Sequence, residues 1–279
     1  MDSKALEEKL QAAGKCADED VSPAEVALWL AALDRPDQDI MPYQAHLDEM
    51  ARRATGLSEQ VDTAQELAEF LTTLMSDGYQ YSGDRETYDD FTNANLMDVI
   101  DRRLGLPVTL GILYLHAAHA AGAQADGLSF PGHFILRIEL QGKTAVIIDP
   151  FNGGQVLNAA DLRKILQEVD GPSARLTPEV YEPVSGRDVI LRLLNNMLSR
   201  SLAKGDTAHA LVVLTRMTWI APERAELWYE MARLHIHQSS LHEAAGAFKT
   251  CLQLARAQKN WQLATLAAQS LEQIRRRLN

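Results

Sequence analysis

Apolar residues along the first third of the chain recur at helical spacing. Ser22 followed by Pro23 reads as an N-cap with proline in the first helical position, and Val26, Leu28, Trp29 and Leu30 form the apolar side of a helix that ends near Asp34, before Pro36. Tyr43, Leu47, Met50 and Ala51 predict a second helix over Pro42 to Ala54. Leu67, Phe70, Leu71 and Leu74 predict a third over Thr63 to Met75. Gly78 to Phe91 is polar and turn-rich and reads as a surface loop. Helical spacing returns from Asn93 to Arg103, breaks at Gly105-Leu106-Pro107, and resumes from Pro107 to Gly122, the expected C-terminal cap.

Beyond Gly122 the period shortens. Phe134 to Leu140 and Thr144 to Ile148 are short apolar or β-branched runs about Gln141-Gly142, which predicts a hairpin. From Asp188 the pattern is helical again and repeats at a spacing of about 34 residues, the length of a tetratricopeptide unit. Leu194 aligns with Trp228, Leu198 with Ala232, Ala210 with Ala244, Leu214 with Phe248 and Met217 with Cys251, and Ala221-Pro222 closes the first unit. Two helical hairpins and a closing helix from Trp261 to Arg277 are expected, the closing helix covering the last open face. The predicted class is α+β. A helical N-terminal layer and mixed core span residues 1–180, and helical repeats span residues 187–279.

Length and charge narrow the function classes. The 279 residues are 46% hydrophobic, enough for a sizeable core, and the net charge of -11 opposes general nucleic-acid binding. No apolar run approaches the roughly 20 residues of a membrane span, and the acidic, amphipathic start does not read as a secretory signal. The two cysteines, Cys16 and Cys251, lie far apart and fit a reducing compartment, so the cytoplasm is the expected location. His116 and His119, three apart on one helix, and the nearby His235 and His237 have no carboxylate or cysteine at ligand spacing, so neither a metal nor a cofactor is expected. Gly153-Gly154 lacks the Lys-Ser/Thr of a phosphate loop and reads as a turn, and Arg275 to Arg277 complement a helix C-terminus.

Four ordered blocks carry a family resemblance: Asn93-Ala-Asn-Leu96, Arg102-Arg-Leu-Gly-Leu-Pro-Val-Thr-Leu110, Phe130-Pro-Gly-His-Phe-Ile-Leu-Arg137 and Asp149-Pro-Phe-Asn-Gly-Gly154. Together they resemble the bacterial SirB-type transglutaminase-like proteins with C-terminal tetratricopeptide repeats. The resemblance implies a papain-like core in which a cysteine at a helix N-terminus attacks an acyl group, a histidine takes its proton and an aspartate orients the imidazole. His133 and Asp149 match the last two. The cysteine position falls near Pro107, which offers no nucleophile.

A three-residue loop, Leu140 to Gly142, would set Glu139 opposite Lys143 and His133 opposite Asp149 on one face of the sheet, so an odd-numbered loop is expected. Asn93 and Asn152 are candidate hydrogen-bond donors to the cleft, and Thr109 and Ser129 are candidate hydroxyls. The leading expectation is a non-catalytic protein that binds a protein or peptide. The alternatives are a hydrolase or acyltransferase using His133 with Thr109, Ser129 or water, and a scaffold whose cleft is a relic.

Overall fold

The computed structural model describes residues 2–58 and 61–278. The chain divides into two compact units. The first holds residues 1–7 and 17–193, and the second holds residues 8–16 and 194–279.

In the first unit, α2 (Pro23–Asp34) starts where Ser22 Oγ accepts from Glu25 N–H. α3 (Met41–Ser58) follows, and α4 (Ala64–Thr72) opens with a capping box in which Thr63 and Glu66 exchange hydrogen bonds. A π-helical turn, Thr73–Gly78, ends that layer. α5 (Leu96–Arg102) is capped by Asn95. α6 (Pro107–Ala120) is apolar nearly all round because it is enclosed, with α2, α3 and α4 on some sides and the sheet on another. Two short strands, β1 (Ser82–Gly83) and β2 (Leu104–Gly105), pair in parallel beside its N-terminus.

The main sheet contains β3 (Gln124–Leu128), β4 (Leu136–Glu139), β5 (Val146–Asp149), β6 (Gln155–Leu157) and β7 (Pro183–Val184), in the antiparallel order β6-β5-β4-β3-β7. α6 covers one face, approaching closely where Gly111 and Gly127 leave room for the Phe134 ring: a Cβ on Gly111 would lie 2.3 Å from it. α7 (Ala159–Asp170) closes the other face, with Leu162 and Leu166 packed on Leu128, Phe130, Ile135 and Leu157.

The hairpin corrects one expectation. Gln141 and Gly142 both take positive φ, 52° and 70°, and Lys143 N–H bonds the Leu140 carbonyl, which makes a two-residue turn. The ladder, however, sets Leu136 opposite Ile148 and Ile138 opposite Val146, so the returning strand carries one extra residue within 144–145. That bulge restores the parity a two-residue turn would have lost. The ladder is nevertheless shifted by two from the expected register, and His133 stands ahead of β4 rather than on it.

The second unit is helical among its described residues. α1 (Ser3–Ala13) enters it from Glu8, and α8 (Gly186–Ala203) enters it from Leu194. There follow α9 (Thr207–Ile220), α10 (Ala225–His237), α11 (Leu241–Ala257) and α12 (Trp261–Leu278). The paired repeat positions Ala210 and Ala244, Leu214 and Phe248, and Met217 and Cys251 are all buried. Gly205, Ser239 and Lys259 each adopt positive φ in the turns between α8 and α9, α10 and α11, and α11 and α12. The next N–H in each, from Asp206, Ser240 and Asn260, reaches back to the carbonyls of Ser201, His235 and Ala255.

Candidate active site

The site is built on the turn that ends β5. Asp149 caps the 3-10 turn Pro150–Asn152, its Oδ1 accepting from the N–H groups of Phe151 at 3.0 Å and Asn152 at 3.2 Å. Its Oδ2 accepts from His133 Nε2 at 2.7 Å and from Asn152 Nδ2 at 2.5 Å. The carboxylate is 1% exposed. Burial pushes its pKa up, but the hydrogen bonds from His133 and Asn152 outweigh that and hold it below the ordinary carboxylate range.

His133 is 21% exposed. Because Nε2 donates to the ionised Asp149, the other ring nitrogen, Nδ1, is an acceptor in the neutral imidazole, and it makes no hydrogen bond among the described residues. The backbone under the ring is held by Arg192 of α8, whose guanidinium donates to the carbonyls of His133 at 2.7 Å and Phe130 at 3.4 Å and lies 5.3 Å from the Phe134 ring centroid. Burial lowers the Arg192 pKa from its usual value.

On the Asn152 side, Arg85 donates to Asn152 Oδ1 and covers the Phe151 ring at 5.2 Å, and exposed Tyr88 meets the same ring edge-on at 5.9 Å. Close packing tightens this end of the sheet: a Cβ on Gly154, whose φ is +80°, would lie 2.4 Å from Thr72 Oγ1 and 2.7 Å from the Tyr114 hydroxyl. Burial raises the Tyr114 phenol to about 12.

The remaining candidates fall elsewhere. Asn93 is fully buried and belongs to a second cluster, its Nδ2 donating to Thr87 O at 2.7 Å and its Oδ1 accepting from Arg102 at 2.9 Å. Thr109 closes the start of α6. Its hydroxyl accepts from Leu106 N–H at 2.8 Å and faces the carbonyls of Asn93 and Leu106 at 2.9 and 3.0 Å, which share its one proton. Pro107 is the first residue of α6. Ser129 is exposed, and its N–H is paired to Glu182 O. Cys16 is exposed and Cys251 is buried, both in the second unit, and burial pushes the Cys251 thiol up to about 11. His116 and His119 donate to the carbonyls of Leu47 and Ala125.

Residues 41–195 match the transglutaminase-like superfamily. The chain belongs to that superfamily. A UPF0162 protein of Xylella fastidiosa strain 9a5c is 29% identical over 185 residues, covering 65% of this chain and 66% of that protein. A UPF0162 protein of Vibrio cholerae is 31% identical over 190 residues, 66% of this chain and 70% of its own length. F-box only protein 21 of Homo sapiens is 24% identical over 188 residues, which is 64% of this chain but 29% of that protein. No solved structure matches. This transglutaminase-like chain carries an aspartate-held imidazole to which, among the described residues, no thiol or hydroxyl is hydrogen-bonded.

Arg85, Tyr88 and Arg192 escaped the sequence reading. Arg192 alone carried a signal: it interrupts the apolar run Val189 to Leu194, and a guanidinium on a packed helix face needs acceptors.

Proposed function

We propose that this protein is a SirB-type, cytoplasmic transglutaminase-like binding protein in which the His133–Asp149 pair recognises a peptide or amide group without cleaving it. The observation that carries this reading is His133 Nδ1, which is oriented by Asp149 yet hydrogen-bonds to no described side chain. In the neutral imidazole that atom accepts a hydrogen bond from an amide N–H, with the exposed Tyr88 ring beside the same turn offering apolar surface. The hydroxyl of Thr109 is committed to the backbone, and Pro107 stands where the resemblance puts the nucleophile. The helical pairs of residues 187–279 act in this reading as tetratricopeptide-type repeats that dock a second part of the same protein partner.

Affinity capture with wild-type protein and with His133→Ala tests it. A partner retained by the first and lost by the second is expected, together with amide hydrolysis no faster than with His133→Ala. Hydrolysis that His133→Ala abolishes sinks the binding reading.

A second reading is favoured by the same atom. An imidazole held by a carboxylate through Nε2, with Nδ1 accessible, has the geometry of a general base, and it would activate water, or the exposed Ser129 hydroxyl, for acyl transfer. Turnover that survives Ser129→Ala but not His133→Ala would assign the nucleophile to water.

A further inference from the structure

A groove of about 970 Å³ lies at the far end of α6, and it includes none of the residues of the His133 site. One wall is the free edge of the main sheet. β3 pairs with β7 only at Gly127 and Leu128, so Gln124, Ala125 and Asp126 run on past the end of β7 and line the groove. Gly127 faces Val184, and Ser129 N–H bonds Glu182 O. The same alternation therefore turns the backbone groups of Ala125 toward the side that β7 has vacated.

The Ala125 carbonyl is covered by a side chain, His119 Nε2 at 2.7 Å, as protected sheet edges commonly are. The floor is apolar, formed by Val21, Leu115, Ala123, Val184 and Val189. Charge gives the groove a sign. Asp18, Glu19, Asp20 and Asp126 line it, and among the described residues no lysine or arginine does. Asp18 is held by Arg187 at 2.6 Å, and Arg137, across the ladder from Asp126, is held by Glu139 at 2.5 Å.

We infer that this groove is a second interaction surface, which takes an extended basic segment of a partner protein as an added strand along β3, with lysine or arginine ammonium or guanidinium groups set against the acidic rim. Main-chain pairing to Ala125 supplies register, aliphatic stems cover the apolar floor, and the charges select the partner. The segment replaces His119 as the partner of the Ala125 carbonyl.

The probe is a short fluorescein-labelled peptide alternating lysine and valine, titrated into the full chain and followed by anisotropy. Saturable binding that weakens as salt rises is expected, and the Glu19→Gln/Asp20→Asn/Asp126→Asn protein should bind about tenfold more weakly. All three residues are at least partly exposed, so this variant should fold as wild type, checked by its melting temperature. A peptide with proline in place of valine, which loses every second N–H and cannot hold a regular strand, should bind much more weakly, while His133→Ala should bind the original peptide as wild type does. The proposal fails if the probe does not bind, if a glutamate-for-lysine peptide binds equally, if the proline peptide binds as tightly, or if the triple variant is unaffected. It fails equally if sedimentation shows the groove occupied by a second copy of this chain.

Discussion

Asp84 and Asp149 are built almost alike. Asp84 Oδ1 accepts from the N–H groups of Glu86 and Thr87, and its Oδ2 from the Thr87 hydroxyl and Arg102. Asp149 Oδ1 accepts from two N–H groups of its own turn, and its Oδ2 from Asn152 and His133. Both carboxylates are enclosed, at 3% and 1% exposure, and both have pKa values held down, Asp84 chiefly by the hydrogen bonds of Thr87.

They differ in the partner. Arg102 turns its guanidinium back into the structure, donating also to Thr92 and Asn93, whereas His133, 21% exposed, keeps a ring nitrogen that bonds to no described residue. A buried, turn-capping aspartate with a basic partner is thus a common structural device. What marks a candidate site is the atom left over.

The sharpest way to break the comparison is Gly154→Ala. Its Cβ would intrude on Thr72 and Tyr114 while the residue sits at φ +80°, so about 3–4 kcal/mol of stability should be lost in urea titrations, with loss of any His133-dependent binding. Arg102→Ala should cost about 2–3 kcal/mol, because the buried Asp84 carboxylate loses its one charged donor, although three neutral donors remain, and the buried Asn93 oxygen loses its donor as well.

His46 provides the next test, as a histidine used structurally. Its Nε2 accepts from Tyr81 and Arg103, and burial, with the nearby charge of Arg103, lowers its pKa from 6.5 to about 4. Between those values the unfolded chain binds the extra proton, so stability should fall as pH drops from 6.5 to about 4. His46→Gln should flatten that part of the profile, measured by melting temperature against pH. The Asp149 contribution, from a depressed carboxylate, is present above the ordinary carboxylate pKa and is lost only at lower pH.

The smallest effect is expected at the site itself. His133→Ala leaves Asp149 three donors and should cost only about 1 kcal/mol. A loss as large as that of Arg102→Ala would make His133 structural and end the distinction.

Local chemistry was legible in the residues. The Ser22 cap, the Thr63 start, Pro107 at the first position of α6 and the helices after Asp188 all rest on interactions within a few residues, so the sequence specifies them without the rest of the fold. The strand β3 was not legible. Gln-Ala-Asp-Gly-Leu has no β-branched residue and no clean alternation, and it is a strand because β4 and β7 flank it and Gly127 admits Phe134. β6 and α7 likewise went unpredicted.

The His–Asp pair divides along the same line. The sequence by itself determined that an imidazole and a carboxylate exist on two neighbouring chain segments and that proline stands where the resemblance places a thiol. The tertiary structure decided that they meet from a turn and a strand end through a bulged ladder, that Thr109 and Asn93 are absorbed into backbone and buried hydrogen bonds, and that Arg192, 59 residues away, supports the histidine's backbone. The reason is physical: caps and turns are set by near neighbours, but a register is fixed only when a face of the sheet is packed against the rest of the fold.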